Sequence, residues 1–180
     1  MFLKSRLFTL AGSIMLAACS TTQPPLETVD SVDLQRFMGD WYVIANIPTF
    51  VEKGAHNAVE SYRLDDDGTV ATTFTFRKGG FDGPRKKYTP RGFVRDVPSN
   101  AEWDMQFIWP FKGDYLITYL TDDYSQTVIS RTKRDYVWIM ARTPQISDDD
   151  FQRMVDHVEQ SGYDINLLQK VPQLWPEIRP

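Results

Sequence analysis

The chain has 180 residues, of which 42% are hydrophobic and 24% charged, a composition typical of one globular domain with a sizeable core. One cysteine cannot form an internal disulfide, and two histidines with one cysteine are too few for a structural zinc site. The formal net charge of −4 argues against general nucleic-acid binding, which usually needs a basic excess.

Residues 1–18 have the pattern of a secretory signal peptide. Lys4 and Arg6 precede an apolar run over residues 7–18, which is too short to cross a bilayer. The run ends Leu-Ala-Ala-Cys, which resembles a bacterial lipobox, so cleavage would leave Cys19 as a lipidated, palmitate-bearing first residue. Ser20 in place of Asp resembles an outer-membrane sorting signal, and the membrane leaflet stays open. The alternative is a buried cysteine in an uncleaved helix.

The segment after the lipobox is polar and contains prolines. We predict that residues 19–32 form the lipidated N-terminus and a tether, which in extended form would reach about 40 Å. Without residues 1–18 the chain carries 18 basic and 24 acidic residues, a net charge of −6. We expect the folded domain to span residues 33–170 and a C-terminal tail to span residues 171–180, where it could cover an opening or contact a partner.

Eight segments of alternating polar and apolar residues follow, separated by turn residues. They span residues 41–47, 57–64, 69–76, 87–94, 101–108, 114–120, 126–131 and 136–142. The second and third are joined by Asp-Asp-Asp-Gly at residues 65–68, a strong hairpin signal. Strands at such regular spacing predict an all-β antiparallel sandwich or barrel.

One amphipathic helix follows the strands. Ser147 and Asp150 form an approximate capping box, and Gly162 ends the helix. Its apolar stripe must pack on another element; it consists of Phe151, Met154, Val155 and Val158. The eighth strand is apolar on both faces, so we expect one face to line the interior and the other to contact the helix.

Three motifs together resemble the lipocalin family. Gly39 and Trp41 form a Gly-x-Trp pattern on the first strand, residues 121–124 read Thr-Asp-Asp-Tyr with Asp123 and Tyr124, and Arg142 ends the eighth strand. With the lipobox, the pattern is similar to bacterial outer-membrane lipocalins of the apolipoprotein D-like branch. The resemblance implies an eight-stranded up-and-down barrel with one helix packed outside. It also implies that one end is closed by the Arg142 guanidinium over the Trp41 ring.

The resemblance and strand alternation predict a ligand cavity inside the barrel, because eight strands leave room for one small ligand. We expect these residues to line it: Glu60, Tyr62, Phe74, Phe76, Trp103, Met105, Phe107, Tyr115, Ile117, Tyr136 and Trp138. The same alternation places Ala45, Tyr119, Val128 and Ser130 inside. Glu60 is the one carboxylate in this lining. It either contacts a ligand head group or hydrogen-bonds a neighbouring tyrosine.

The loops opposite the Trp41 end would form the barrel mouth. They carry ten basic and three acidic residues. We predict mouth residues Phe50, Trp109, Phe111, Lys86, Lys87, Lys133 and Arg134. A basic rim with aromatic side chains suits phosphate or carboxylate head groups. The alternative is a set of ordinary solvated loops.

The sequence carries no hydrolase, metalloprotease or phosphate-loop motif, so we expect no catalytic residues, no metal and no cofactor. The leading hypothesis is a lipoprotein, not an enzyme, that binds, stores or transports fatty acids or lysophospholipids in envelope maintenance. One alternative is an envelope enzyme using His56 or Glu60 as a base on a bound apolar ligand. The other histidine, His157, is expected on the solvated side of the helix. Another alternative is a structural lipoprotein with a filled barrel. Association into a homodimer stays open.

Overall fold

The computed structural model describes residues 23–176, so the predicted signal peptide and Cys19 lie outside the described residues. Within this range, one antiparallel sheet closes on itself because β1 pairs with both β2 and β9. The strands are β1 Gly39–Ile47, β2 Ala55–Leu64, β3 Thr69–Lys78, β4 Arg85–Tyr88, β5 Arg91–Val94, β6 Glu102–Ile108, β7 Phe111–Leu120, β8 Gln126–Ser130, β9 Val137–Ala141 and β10 Gln169–Lys170.

The closed sheet confirms the predicted eight-stranded barrel. β4 and β5 are the two halves of the predicted fourth strand, which is interrupted at Thr89 and Pro90 because proline has no N–H for the ladder. The two-residue β10 is an addition beside the mouth half of β1. No helix among the described residues is long and apolar enough to cross a membrane.

The C-terminal helix is confirmed and packs on the outside of the barrel. α2 spans Asp148–Gln160, and the Ser147 hydroxyl caps it by accepting from the Asp150 N–H. Met154 and Val158 are fully buried in an apolar layer that also contains Ile139 of β9. The stripe therefore contacts the outer face of the eighth barrel strand, as predicted. A shorter helix, α1 Leu34–Phe37, precedes β1 and was not predicted.

Two bulges reverse the alternation of side chains near the helix. The register shifts between Val43 and Ala45 in β1, and between Ile117 and Tyr119 in β7. Beyond each bulge, Ala45 and Tyr119 belong to the helix-facing layer. The prediction that they point inside was wrong, because each bulge places one extra residue opposite its partner strand.

The phase of β8 was also predicted wrongly. Ile129 packs in the barrel interior, whereas Val128 belongs to the layer beneath α2. The Ser130 hydroxyl lies 2.8 Å from the hydroxyl of Thr118, which in turn lies 3.2 Å from Nε2 of His157. His157 is therefore half-buried between α2 and the barrel wall, not on the solvated side of the helix. Burial lowers the pKa of His157 below its usual value.

The described part of the predicted tether is held against the barrel. The Val29 N–H donates to the Ile117 carbonyl at 3.0 Å, and the Val32 N–H donates to the Ser99 carbonyl at 2.8 Å. Val32 is only 1% exposed, because it covers the apolar core at one end of the barrel. This segment is therefore part of the folded domain and does not extend from it as a free spacer.

The described tail, residues 171–176, closes a gap where β1 and β2 diverge. The Val171 N–H donates to the Ile44 carbonyl at 2.9 Å, and the Asn57 N–H donates to the Pro172 carbonyl at 2.9 Å. The Gln173 side-chain amide donates to the carbonyls of Val43 and Ala58. The tail thus completes the barrel wall and does not cover the mouth with these residues.

Candidate ligand-binding site

One end of the barrel is sealed by a cation–π contact and by hydrogen bonds. The Arg142 guanidinium carbon lies 3.8 Å from the centre of the Trp41 ring. Its N–H groups donate to the carbonyls of Asp40 at 2.9 Å and Arg36 at 2.8 Å. Gly39 has φ of +94°, and a Cβ there would lie 3.4 Å from the guanidinium, so glycine suits the position twice over. Arg142 and Trp41 are structural residues far from the mouth.

The turn between β7 and β8 strengthens this closed end. The Asp123 carboxylate accepts hydrogen bonds from the Thr121 hydroxyl at 2.7 Å and the Ser125 N–H at 3.0 Å. These donors lower the pKa of Asp123 to about 2. The Tyr124 hydroxyl accepts from the Asp33 N–H at 2.8 Å and so attaches the segment before α1 to the turn.

The lower half of the barrel interior is solid. Phe37 of α1, which the sequence reasoning missed, is fully buried and contacts the rings of Trp41, Tyr62 and Trp103. Its only sequence signal was an apolar residue four positions before Trp41. Above it the Trp103 ring stacks on Tyr115 with centroids 5.1 Å apart. These side chains form a floor that closes the lower half of the barrel interior.

Four residues predicted to line the cavity do not line it. They are Tyr62, Phe76, Trp103 and Ile117, and each is at most 3% exposed. Tyr62, Trp103 and Ile117 pack in the solid interior, whereas Phe76 is covered by the rings of Phe74 and Tyr88. The alternation of side chains along a strand predicts which face of the sheet a residue occupies, but not the height in the barrel at which close packing ends.

The upper half encloses a cavity of about 320 Å³. It is lined by Thr49, Glu60, Thr72, Pro90, Met105, Phe107, Ile108, Phe111, Lys112, Gly113, Asp114, Tyr115, Arg131, Tyr136 and Trp138. A second cavity of about 480 Å³ adjoins it through shared residues and includes Phe74 and Lys87. Seven of the predicted lining residues therefore border one cavity or the other: Glu60, Phe74, Met105, Phe107, Tyr115, Tyr136 and Trp138.

Glu60 places one buried carboxyl group in the wall of the first cavity. The Tyr62 hydroxyl donates to it, and the same hydroxyl lies 2.8 Å from that of Tyr115. Burial raises the pKa of Glu60 to about 7; the Tyr62 hydrogen bond opposes this rise, and the nearby charge of Glu52 adds to it. The carboxyl thus both bonds a neighbouring tyrosine and faces the cavity, and it titrates near neutral pH.

Glu52, one of the three acidic residues of the predicted mouth loops, is a second buried carboxylate. It lies in the loop after β1 but is only 5% exposed. Its two oxygens accept from Trp138 Nε1 at 2.8 Å and from the Thr49 N–H at 2.7 Å. Nothing in the sequence around Glu52 distinguishes it from an exposed loop acid. It fixes the first mouth loop onto the indole that lines the cavity.

The rim of the mouth is strongly apolar. Phe50 is 83% exposed, Trp109 82% and Phe111 75%, so all three predicted rim aromatics face solvent. Phe107 borders both cavities, as predicted for a lining residue, but is 56% exposed at the rim, and Ile108 beside it is 72% exposed. The β6–β7 hairpin therefore ends in a tip of large apolar side chains at Ile108, Trp109 and Phe111. Trp109 on this tip and Phe50 in the loop after β1 border neither cavity.

The predicted basic residues of the mouth divide into two groups. Lys86, Lys87 and Lys133 are exposed, and Lys87 borders the second cavity. Arg134 instead donates to the carbonyls of Ser161 and Pro24, at 2.6 Å each. Arg134 was predicted as a rim cation, but its donors hold the N-terminal segment and the end of α2, so it is not a free binding group.

The candidate base His56 stands apart from both cavities. Its ring centroid lies 5.0 Å from that of Phe81, and its Nδ1 lies 3.2 Å from the Gly54 carbonyl. Of the two bases considered for an enzyme, only Glu60 borders a cavity. Within residues 23–176, no cluster of three or more His, Asp and Glu side chains could hold a metal ion.

Comparisons with known proteins agree with this architecture. Residues 32–173 match the family model described as a lipocalin-like domain. The chain is 30% identical to outer membrane lipoprotein Blc of Citrobacter freundii, covering 91% of this chain and 93% of that protein. It is 32% identical to temperature-induced lipocalin-1 of Arabidopsis thaliana, covering 85% and 86%. Insecticyanin from the tobacco hornworm Manduca sexta has the same fold, with a TM-score of 0.66, 15% identity and coverage of 86% and 87%.

Proposed function

Because this chain belongs to the lipocalin family, we propose that it is an outer-membrane lipoprotein that binds a single-chain amphiphile, such as a fatty acid or a lysophospholipid. The predicted lipobox at Cys19 and the 30% identity to a protein named outer membrane lipoprotein support the location. One observation carries the binding function. The upper barrel is an open cavity of about 320 Å³, with apolar walls and few polar groups.

The cavity suggests how such a ligand would lie. Its tail contacts the apolar wall around Met105, Tyr136 and Trp138, above the solid floor. Its anionic head group lies at the rim near Lys87, which is exposed and borders the second cavity. A rim cation would stabilise a carboxylate or phosphate there by a charge-assisted hydrogen bond. Transport or storage during envelope maintenance is the cellular role that we infer from this binding.

The open upper half also bears on the two alternatives. A structural lipoprotein with a filled barrel needs packed side chains up to the rim, and here packing stops at the level of Tyr115. An enzyme using His56 would need that imidazole in the cavity wall, and it borders neither cavity. Amphiphile binding therefore has the stronger support.

The proposal is tested by native mass spectrometry of residues 20–180, which lack the signal peptide and the lipidation site, followed by titration of this protein with palmitate. We expect a co-purified lipid or stoichiometric uptake of palmitate. Replacing Lys87 by alanine should weaken palmitate binding and reduce its salt dependence. Arg63→Ala is the matched control, because Arg63 is exposed and lies near the closed end. A protein that is empty and ignores palmitate would overturn the proposal.

A further inference from the structure

The N-terminal segment leaves the folded domain at the mouth end of the barrel. β8 runs from the closed-end turn at Tyr124 toward the loop that contains Arg134, so this loop belongs to the mouth. The Arg134 guanidinium donates to the Pro24 carbonyl at 2.6 Å. From there the chain runs down the barrel to Val32, which bonds Ser99 at the closed end. The first described residues therefore lie beside the rim.

This path determines where a lipid on Cys19 would lie. Gln23 lies four positions after Cys19, and four steps of fully extended chain span at most about 14 Å. The Pro24 carbonyl accepts from Arg134, and Gln23 lies in the same region beside Arg134 and Gly162 at the mouth end. Acyl chains on Cys19 would therefore emerge near the mouth and not near the closed end.

The rim has the composition of a membrane-contacting surface. Phe50, Ile108, Trp109 and Phe111 are each at least 72% exposed, and a contiguous exposed apolar patch generally marks an interaction site. Three exposed lysines lie at the same end of the barrel, Lys86 and Lys87 on β4 and Lys133 in the loop after β8. Aromatic side chains suit the lipid–water interface, and lysines close to an anionic surface are attracted to it.

The closed end has the opposite charge. It carries acidic runs at residues 65–67 and 122–123, and α2 begins with Asp148, Asp149 and Asp150 at the same end. An anionic membrane would repel this end and attract the rim. The charge distribution and the path of the N-terminal segment thus favour the same orientation.

We propose that the barrel docks mouth-down on a phospholipid membrane containing anionic lipids, with the tip formed by Phe50, Ile108, Trp109 and Phe111 in the interfacial layer. Docking in this orientation opens the cavity directly to the membrane surface, so that an amphiphile passes between bilayer and barrel without crossing water. The docking inference rests on the proposed function for its purpose. Ile108 and Phe111 also border the first cavity, whereas Phe50 and Trp109 border neither cavity and so allow docking to be tested separately from ligand binding.

Vesicle sedimentation of the mature chain without residues 1–19 tests the docking surface without the lipid anchor. The probe is vesicles of phosphatidylethanolamine and phosphatidylglycerol. Replacing Phe50 and Trp109 together by serine should weaken vesicle binding by about tenfold or more, because the variant lacks two large apolar side chains that would move from water into the membrane interface on docking. Replacing Lys86 and Lys133 by alanine should weaken it by a similar factor, and only for vesicles that contain phosphatidylglycerol.

Two controls separate docking from general effects. Leu167→Ser removes an exposed apolar side chain on the outer wall, and Arg63→Ala removes an exposed cation near the closed end. Both should bind vesicles as the unchanged protein does. Palmitate titration of the Phe50 and Trp109 double variant should stay within about twofold, because neither side chain borders a cavity.

Orientation is tested with the full lipidated chain in the same vesicles. A cysteine introduced at Lys86 should react slowly with an aqueous maleimide, and one introduced at Asp66, on the closed-end hairpin, should react at least tenfold faster. Equal labelling rates, or equal vesicle binding by the rim variants and by the controls, would overturn the docking proposal. If palmitate binding persists in that case, the proposed function stands; if vesicle binding persists without palmitate uptake, only the proposed function fails.

Discussion

The indole Nε1 of Trp138 donates a 2.8 Å hydrogen bond to the Glu52 carboxylate. Trp138 belongs to β9 and lines the cavity, whereas Glu52 belongs to the loop after β1. The other carboxylate oxygen accepts from the Thr49 N–H at 2.7 Å. This one buried carboxylate therefore attaches the first mouth loop to β9, which forms part of the cavity wall.

Removing this carboxylate should destabilise the mouth. Glu52→Ala leaves the buried Trp138 N–H and the Thr49 N–H without acceptors, and each lost partner costs about 1–3 kcal/mol. We expect the free energy of unfolding in urea to fall by about 2–4 kcal/mol. Lys53→Ala, next to it and exposed, should change this quantity by less than about 0.5 kcal/mol. Equal stabilities of the two variants would refute the role assigned to Glu52.

Arg142 should matter for stability and not for ligand binding. Arg142→Ala removes the contact over Trp41 and the bonds to the carbonyls of Asp40 and Arg36, so unfolding free energy should fall by about 2–4 kcal/mol. Arg142→Lys should recover only part, because an ammonium cannot reproduce a planar set of donors. Arg153→Ala, on the exposed side of α2, serves as the control. A loss of palmitate affinity at unchanged stability would contradict this assignment.

Filling the cavity floor should shorten the ligand that the barrel accepts. Thr72 is 4% exposed and borders the first cavity, so Thr72→Phe places a ring where a ligand tail would end. We expect affinity for palmitate to fall about tenfold or more while affinity for a ten-carbon fatty acid falls less. Thr73→Phe is the matched control, because the neighbouring side chain points to the opposite face of β3. Equal affinity losses for both chain lengths would argue against a tail-down ligand.

Local patterns in the sequence were sufficient for the barrel and its closed end. Hairpin signals such as residues 65–68 show where strands begin and end. The contact between Trp41 and Arg142 joins two residues far apart in the sequence, and both residue types are distinctive enough to be recognised there. The capping of α2 by Ser147 is likewise a local property. Features of this kind are predictable because the residue type itself carries the geometry.

Features that depend on irregular backbone could not be predicted in the same way. The bulge after Ile117 turns Tyr119 toward α2, and no residue type in β7 predicts this bulge. Glu52 looks like a surface acid until the loop folds inward onto Trp138. The height at which packing ends, above Phe37, is decided by summed side-chain volumes from several strands. The alternation of side chains in a strand therefore predicts the face on which a residue lies better than its depth in the barrel.

The buried carboxyl of Glu60 should make stability fall as pH rises. Its pKa is raised from 4.5 to about 7, chiefly because burial disfavours the charged form. Below pH 4.5 the folded and unfolded chains both carry the proton, and the favourable contribution is fully present. Between these two values the folded state binds more protons than the unfolded state, so the free energy of unfolding decreases with pH. The loss approaches about 3 kcal/mol by the time pH passes 7.

Glu60→Gln tests this slope, because an amide of the same shape has no proton to lose in that range. The difference in unfolding free energy between pH 5 and pH 8 should be smaller in Glu60→Gln than in the unchanged protein by about 2–3 kcal/mol. Glu159→Gln, exposed on α2, removes an acid of the same type and should leave the slope unchanged. Glu52→Gln should flatten the slope in part, since the charge of Glu52 raises the pKa of Glu60. Parallel pH profiles for all four proteins would show that Glu60 titrates in the folded state as it does in the unfolded chain.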